Sequence, residues 1–192
     1  MIKKQINKDE IEVLPSGKYE GEICLVDNIK NIEDIFKEIN LEKFVGVDTE
    51  TKPSFKKGVT HKTSLIQIAT SKKVYLFRIH KLGFHKLFID LFENKNITKV
   101  GIAFFQDLKE LKAEYVSFNP QNIVDLNEWC KKEGFENIGA KNLSAMVLGI
   151  KISKKQRVSN WELDVLSDAQ LDYAATDAWI CREIYAVLNQ LV

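Results

Sequence analysis

The sequence predicts an α/β fold built on a mixed sheet, with an antiparallel three-strand start followed by parallel strands and flanking helices. Short apolar and β-branched runs at residues 44–50, 64–70 and 73–78 predict three strands. Because these strands follow one another through short connections, they indicate an antiparallel meander. From residue 84 onward, helical and strand patterns alternate, which is typical of parallel strands joined by crossover helices.

The composition is that of a single water-soluble domain. The chain has 192 residues, of which 45% are hydrophobic and 29% are charged. Its formal charge is 28 − 27 = +1, so any nucleic-acid site must be a local basic patch. The sequence offers neither a bilayer-spanning apolar run nor a signal peptide, so we expect no membrane partner and a cytoplasmic location. The three cysteines are widely spaced, which favours reduced packing residues.

The first third of the chain divides into an arm and the start of the domain. We expect residues 1–18 to form a loosely held N-terminal arm and residues 19–192 to form one domain. Alternation at residues 19–26 predicts an edge strand. The spacing of the apolar residues in 31–41 predicts a short amphipathic helix.

From residue 84 onward, the predicted elements alternate between helices and strands. We expect helices at residues 84–93, 107–115 and 126–133, with strands at 99–104 and 122–124 between them. Asp125, at the end of the last strand, is interpreted as a structural or solvated residue rather than a metal ligand.

The last long helix, predicted over residues 166–191, carries the first candidate functional residues. Ser167 followed by Gln170 forms a capping box that marks its beginning. Tyr173 and Asp177 lie four residues apart, and therefore one turn apart on the same face. This face borders a stripe of apolar residues at helical spacing, and buried carboxylates are normally paired with a cation or bound to a metal. The alternative is a solvated helical aspartate.

A second pair of carboxylates follows the apolar run at residues 44–47. Asp48 and Glu50 are two residues apart, so on a strand both point to the same face. Like charges held together repel one another unless a cation lies between them. Hard oxygen ligands favour Mg²⁺ or Mn²⁺. The alternative is a strand that simply ends in a polar turn.

Together these pieces resemble the DEDD superfamily of 3′–5′ exonucleases, in the tyrosine subgroup that contains ribonuclease D and the Werner-syndrome helicase exonuclease domain. The likeness covers residues 20–192. It rests on Asp48-Thr-Glu50, Asp107 after a predicted strand, and Tyr173-Ala-Ala-Thr-Asp177, and it extends to residues 64–69, 100–102, 159–161 and 166–170. The resemblance implies a ribonuclease H-like fold.

The resemblance also implies a two-metal mechanism with two Mg²⁺ or Mn²⁺ ions. Asp48 would bridge both metals, Glu50 and Asp177 would complete one site, and Asp107 would hold the other. Tyr173 would orient the attacking water. Two alternatives stay open, since Asp107 could serve only as a helix-capping carboxylate and Tyr173 could be only a core aromatic.

Two basic clusters are candidates for phosphate contacts, at residues 52–62 and 151–157. A solvated charge run is the alternative for both. An aromatic side chain in the first cluster could stack on a terminal base. The candidate substrate-binding residues are Phe55, Lys56, Lys57, Lys154 and Arg157.

The sequence therefore predicts a metal-dependent 3′–5′ exonuclease that releases nucleoside 5′-monophosphates from DNA or RNA. The expected partner is a single-stranded or frayed 3′ end. A catalytically weak or inactive nucleic-acid-binding or scaffold protein on the same fold is one alternative. An enzyme acting on a short oligonucleotide is another, because the near-neutral charge permits it.

Overall fold

A six-stranded sheet forms the centre of the protein. The computed structural model describes residues 2–56, 58–115 and 117–190. The strand order is β1-β4-β3-β2-β5-β6. The strands are β1 Glu22–Val26, β2 Phe44–Thr51, β3 Thr63–Ala69, β4 Lys73–Phe77, β5 Thr98–Gly101 and β6 Ile123–Asp125.

The pairing of the strands confirms the predicted mixed sheet. β2, β3 and β4 pair antiparallel in sequence order, and β5 and β6 then add in parallel beside β2. β1 lies at the far edge and pairs in parallel with β4. The sheet therefore has the antiparallel three-strand start and the parallel second part that the sequence predicts.

Helices cover both faces of the sheet. They are α1 Lys8–Glu12, α2 Ile32–Ile39, α3 Ile79–Leu82, α4 Lys86–Glu93, α5 Phe104–Glu114, α6 Leu126–Lys132, α7 Ala140–Leu143 and α8 Asp168–Asn189, with a π-helical turn at Ser144–Leu148. α8 begins with the predicted capping box of Ser167 and Gln170. Within the described residues, we find no helix with the length and apolar character needed to cross a bilayer.

The alternation of side chains along β3 separates two cores. Ile66 and Ile68 belong to the core shared with α2, α4 and α5, whereas Leu65 and Ala69 belong to the core under α8. α8 lies very close to β2, because a Cβ added at Gly46 would come within 2.1 Å of the Ala178 carbonyl oxygen. This contact shows that the even-numbered residues of β2 face α8.

The strand predicted at residues 99–104 is too long. β5 ends at Gly101, and Phe104 is already the first residue of α5. The turn between them is tight, with Ala103 in the left-handed conformation at φ 60° and ψ 26°. Because Phe104 is apolar and fully buried, hydrophobicity alone could not place this boundary.

The N-terminal segment, predicted to be loosely held, is packed against the domain. Ile11 of α1 is only 3% exposed. The Gly17 amide donates to the Lys151 carbonyl at 2.9 Å, and the Lys151 amide donates to the Pro15 carbonyl at 2.9 Å. These contacts tie the segment to the loop that precedes α8. The domain boundary at residue 19 stays a prediction.

Candidate active site

The structure brings Asp48, Glu50 and Asp177 together, and we call these three side chains the carboxylate cluster. One carboxylate oxygen of each lies within 4.8 Å of the others. Asp48 and Glu50 share the face of β2 that carries Gly46, where α8 packs most closely. Asp177 lies on α8 and is only 5% exposed. The predicted convergence of β2 with the last helix is confirmed in these positions.

The electrostatics of the carboxylate cluster favour a bound cation. Burial raises the pKa of Asp48 well above its usual range, and the charges of Asp177 and Asp107 raise it further. Burial also raises the pKa of Glu50, and the neighbouring Asp48 adds to this effect. The carboxylates therefore do not all ionise at the same time unless a positive charge is close to them.

The donor set fits a hard divalent cation. Three carboxylates supply only oxygen ligands, and their mutual distances allow them to reach one ion. Such a set suits magnesium or manganese better than a metal that prefers sulfur or imidazole. Asp48, Glu50 and Asp177 are thus the residues that would hold the first ion.

Asp107 approaches the carboxylate cluster from the other side of the sheet. It lies near the start of α5, a helix whose buried residues belong to the core opposite α8. Burial raises the pKa of Asp107 to about 7, and its charge in turn helps to raise the pKa of Asp48. Asp107 is therefore close enough to interact with Asp48 yet separate from the three-carboxylate group, as a ligand of a second ion would be.

Asp125 fixes the beginning of α5. Its carboxylate accepts hydrogen bonds from the backbone amides of Ala103 at 3.2 Å and Phe105 at 3.3 Å. It also accepts the Asn127 amide at 2.9 Å and so caps α6. Of the structural and solvated interpretations, the structure therefore favours the structural one, and through this turn Asp125 positions the helix that carries Asp107.

The position of Tyr173 is compatible with both roles that the sequence left open. The side chain belongs to the core under α8, where its ring centroid lies 6.0 Å from that of Trp161. Trp161, which lies in the loop that precedes α8, is fully buried, as expected for a structural residue that packs this loop onto α8. Burial and the nearby Asp177 carboxylate raise the pKa of the Tyr173 hydroxyl. The ring is thus a core aromatic while the hydroxyl faces the carboxylate cluster.

Lys154, predicted to contact phosphate, pairs with the carboxylate cluster in this structure. Its Nζ donates to both carboxylate oxygens of Asp177, at 2.8 and 2.9 Å. The same ammonium lies 5.2 Å from the centroid of the Tyr173 ring. Lys154 therefore supplies the nearest positive charge to the carboxylates among the described residues.

The other predicted substrate-binding residues lie outside the carboxylate cluster. Phe55 is 85% exposed, and Lys56 and Arg157 are also exposed on their loops. Lys57 lies outside the described residues. The exposure of Phe55, Lys56 and Arg157 is compatible with substrate contact, and their role stays a prediction.

Gln67 is a residue whose position the sequence reasoning missed. It lies opposite Asp48 in the β2–β3 pairing, and its side chain has no exposed surface. An amide at the centre of the apolar run of residues 65–69 was the available signal. It could be recognised only once the register placed Gln67 beside a candidate ligand.

Comparison with known proteins agrees with this geometry. A family model described as a 3′–5′ exonuclease matches residues 23–192. The chain is 32% identical over 154 residues to a 3′–5′ exonuclease of Arabidopsis thaliana, covering 77% of this chain and 53% of that protein. It spans about half the length, or less, of the first curated relatives that it matches.

Solved structures show the same fold. The Nibbler EXO domain of Aedes aegypti superposes with a TM-score of 0.80 at 25% identity, covering 92% of this chain and 93% of that one. Escherichia coli RNase D gives a TM-score of 0.79 at 18% identity, covering 88% of this chain and 44% of that one. These neighbours confirm the ribonuclease H-like fold. Because the family model spans nearly the whole sheet and all the acidic motifs, the chain belongs to the 3′–5′ exonuclease family.

Proposed function

We propose that this protein is a metal-dependent 3′–5′ exonuclease that hydrolyses the terminal phosphodiester bond of DNA or RNA and releases nucleoside 5′-monophosphates. The observation that carries the proposal is the convergence of Asp48, Glu50 and Asp177, with Asp107 alongside. The substrate would be a single-stranded or frayed 3′ end, because an exonuclease must admit the terminal nucleotide to this partly buried site.

The carboxylates would position two divalent ions, Mg²⁺ or Mn²⁺. Asp48 would face both ions, Glu50 and Asp177 would complete the first site, and Asp107 would hold the second. Bound in this way, such ions activate a water molecule and stabilise the leaving oxygen of an in-line displacement. Burial and mutual repulsion raise the pKa values of Asp48 and Glu50, and both support this assignment, since dications would stabilise the ionised carboxylates.

The remaining residues would act on the substrate. The Tyr173 hydroxyl would orient the attacking water, because burial of its ring restricts where the hydroxyl can lie. Lys56, Lys57 and Arg157 would contact backbone phosphates, and Phe55 would stack on a terminal base. Lys154 would leave Asp177 when a divalent ion binds and could then pair with a phosphate. We further propose a cytoplasmic location.

Degradation of end-labelled oligonucleotides tests this function. DNA and RNA 20-mers carrying a label at either the 5′ or the 3′ end are incubated with Mg²⁺, Mn²⁺ or EDTA. We expect a 5′-labelled ladder that shortens with time, immediate release of 3′ label as mononucleotide, and no product in EDTA.

The same assay separates the alternatives. Binding to the oligomers without any metal-dependent product, under conditions where an established exonuclease is active, would indicate a binding or scaffold protein. A length series from dinucleotide to 20-mer would reveal an enzyme restricted to short oligonucleotides, since only the shortest members would then be consumed. Asp48→Asn, purified in the same way, is the negative control, because its metal-dependent product should be strongly reduced if the activity belongs to this site.

A further inference from the structure

Gln67 is a buried amide that lacks hydrogen-bond partners. Among the described residues, neither its Nε2 nor its Oε1 has a partner, and the side chain has no exposed surface. The other side chains of residues 65–69 are apolar and fully buried. A buried polar group is destabilising when it is unpaired, so an amide at this place requires an explanation.

The register of the sheet places this amide beside the carboxylate cluster. Gln67 of β3 is directly opposite Asp48 of β2. Side chains directly opposite each other in an antiparallel pair lie on the same face, with Cβ atoms about 4.5–5.5 Å apart. Gln67 and Asp48 therefore share the layer between the sheet and α8, and a change in the Gln67 side-chain torsions brings Nε2 within reach of the carboxylate.

The two groups are chemically complementary. An ionised carboxylate only accepts hydrogen bonds, and its two oxygens offer about four lone-pair directions. A metal ligand of this kind keeps an accepting direction free after it has bound an ion. A glutamine Nε2 is a donor that carries no charge, so it can fill that direction without competing electrostatically with the cation.

We infer that Gln67 is a positioning residue for Asp48, whose carboxylate it holds by an Nε2 hydrogen bond when that carboxylate binds a divalent ion. This inference rests on the proposed metal site. Residues that hydrogen-bond to a metal ligand fix its orientation and raise the affinity of the site, without touching the ion or the substrate.

Packing alone predicts a different behaviour. If Gln67 only filled space under α8, an unbranched apolar side chain of similar volume would replace it at no cost to the metal site. Gln67→Met makes this replacement. It keeps the length of the side chain and removes the buried amide, so the metal-free protein should unfold at the same or a higher temperature than the parent.

Calorimetric titration of the full chain with Mn²⁺, without substrate, distinguishes the two behaviours. We expect Gln67→Met to bind Mn²⁺ about 10–100-fold more weakly than the parent. The matched control is Leu65→Met, because Leu65 is fully buried on the same face of β3 and opposite Glu50. The control carries no amide in either form, so its Mn²⁺ affinity should equal that of the parent.

Two outcomes would overturn the inference. If Gln67→Met binds Mn²⁺ as tightly as the parent, Gln67 has only a packing role and the proposed function is unaffected. If the parent itself does not bind Mn²⁺, the proposed metal site fails and the inference fails with it.

A second measurement on the parent protein covers the case in which Gln67→Met does not fold. In ¹⁵N-labelled protein, Mg²⁺ should shift the Gln67 side-chain amide protons and slow their exchange with water. Unchanged shifts and exchange at saturating Mg²⁺ would also overturn the inference.

Discussion

The carboxylate cluster and the basic loops hold their charges in different ways. We call residues 52–62 the first basic loop and residues 151–157 the second basic loop. The carboxylates are fixed by β2 and α8, two elements in direct backbone contact at Gly46. The basic side chains extend from loops, and several of them are neutralised within the protein. Lys52 pairs with Glu162 at 2.9 Å, and Lys151 pairs with Glu12 at 3.1 Å.

The difference shows that charge counted along a sequence is not charge available to a ligand. Lys154 pairs with Asp177, so its loop offers fewer free cations than its composition suggests. In the described part of these loops, Lys56, Lys62, Lys155 and Arg157 are exposed and form no ion pair. We therefore expect the carboxylates to control the chemistry, and this smaller set of cations to control the affinity.

The largest effect is expected at the carboxylate cluster itself. Asp48→Asn should slow hydrolysis by at least about 10³-fold, because it removes the charged carboxylate that is proposed to face both metals. The metal-free protein should be as stable as the parent or more stable, because one of the repelling charges is gone. Single-turnover rates and thermal unfolding check the two expectations.

Asp172→Asn is the matched control for this substitution. Asp172 also lies on an element of the site, α8, but it pairs with Lys18 at 2.7 Å near the surface. Its replacement should leave the rate unchanged. A normal rate in Asp48→Asn would contradict the assignment of the metal site.

The next largest effect is expected at Tyr173. Tyr173→Phe keeps the packed ring and removes the hydroxyl, so turnover should fall by about 10–10³-fold with little change in KM. Steady-state kinetics together with Mn²⁺ binding provide the measurement. Tyr185→Phe is the control, since this tyrosine of α8 packs against Phe44 and Trp129. If Tyr173→Phe turns over as fast as Tyr185→Phe and the parent, Tyr173 is a core residue only.

The pH dependence of binding at the second ion's site should follow Asp107, whereas binding at the first site must also displace the protons that Asp48 and Glu50 retain. The pKa of its carboxyl is about 7 in the folded protein against an ordinary value of 3.8, so the folded state retains a proton that the unfolded state loses between these values. The contribution of the Asp107 carboxyl to the stability of the metal-free protein is fully present below about pH 4 and is lost as the pH rises towards 7.

Binding of the second ion must displace this proton, so its affinity should increase by up to about tenfold per pH unit up to pH 7. Mn²⁺ titrations at pH 5.5, 6.5 and 7.5 test the expectation. Asp107→Asn should bind less metal and show a flatter profile. A parent protein with the same flat profile would remove Asp107 from the second site.

A smaller effect is expected from the ion pair between Lys154 and Asp177. Lys154→Met should strengthen Mn²⁺ binding without substrate by about threefold to tenfold, because the ion no longer displaces an ammonium from Asp177. Lys155→Met is the control from the same loop, since the Lys155 side chain is exposed. Weaker Mn²⁺ binding in Lys154→Met would show that this lysine supports the metal site instead of competing with it.

The smallest effect sharpens the distinction between paired and free cations. Lys56→Ala combined with Arg157→Ala should reduce the salt dependence of single-stranded binding by about 0.7 for each phosphate that the protein no longer neutralises. Lys52→Ala combined with Lys151→Ala removes two paired cations and should leave that slope unchanged. Fluorescence anisotropy at several salt concentrations measures both. Equal slopes in the two double variants would mean that pairing within the protein does not decide which cations meet phosphate.

The sequence alone determined the features that depend on local periodicity. The two-residue spacing of Asp48 and Glu50 put both carboxylates on one face, and the four-residue spacing of Tyr173 and Asp177 did the same on a helix. The capping box located the start of α8. Short connections distinguished the antiparallel strands from the parallel ones. These patterns depend on backbone geometry, which is the same in every fold.

Which charged groups come into contact depends on the tertiary packing. The pairing of Lys154 with Asp177, the register that sets Gln67 against Asp48, and the docking of the N-terminal segment on Lys151 all join residues distant in sequence. The end of β5 was also decided by its surroundings, because a buried apolar residue such as Phe104 fits the pattern of a strand as well as that of a helix. Long-range contacts of this kind depend on how the sheet and α8 pack, and no local pattern of residues records that packing.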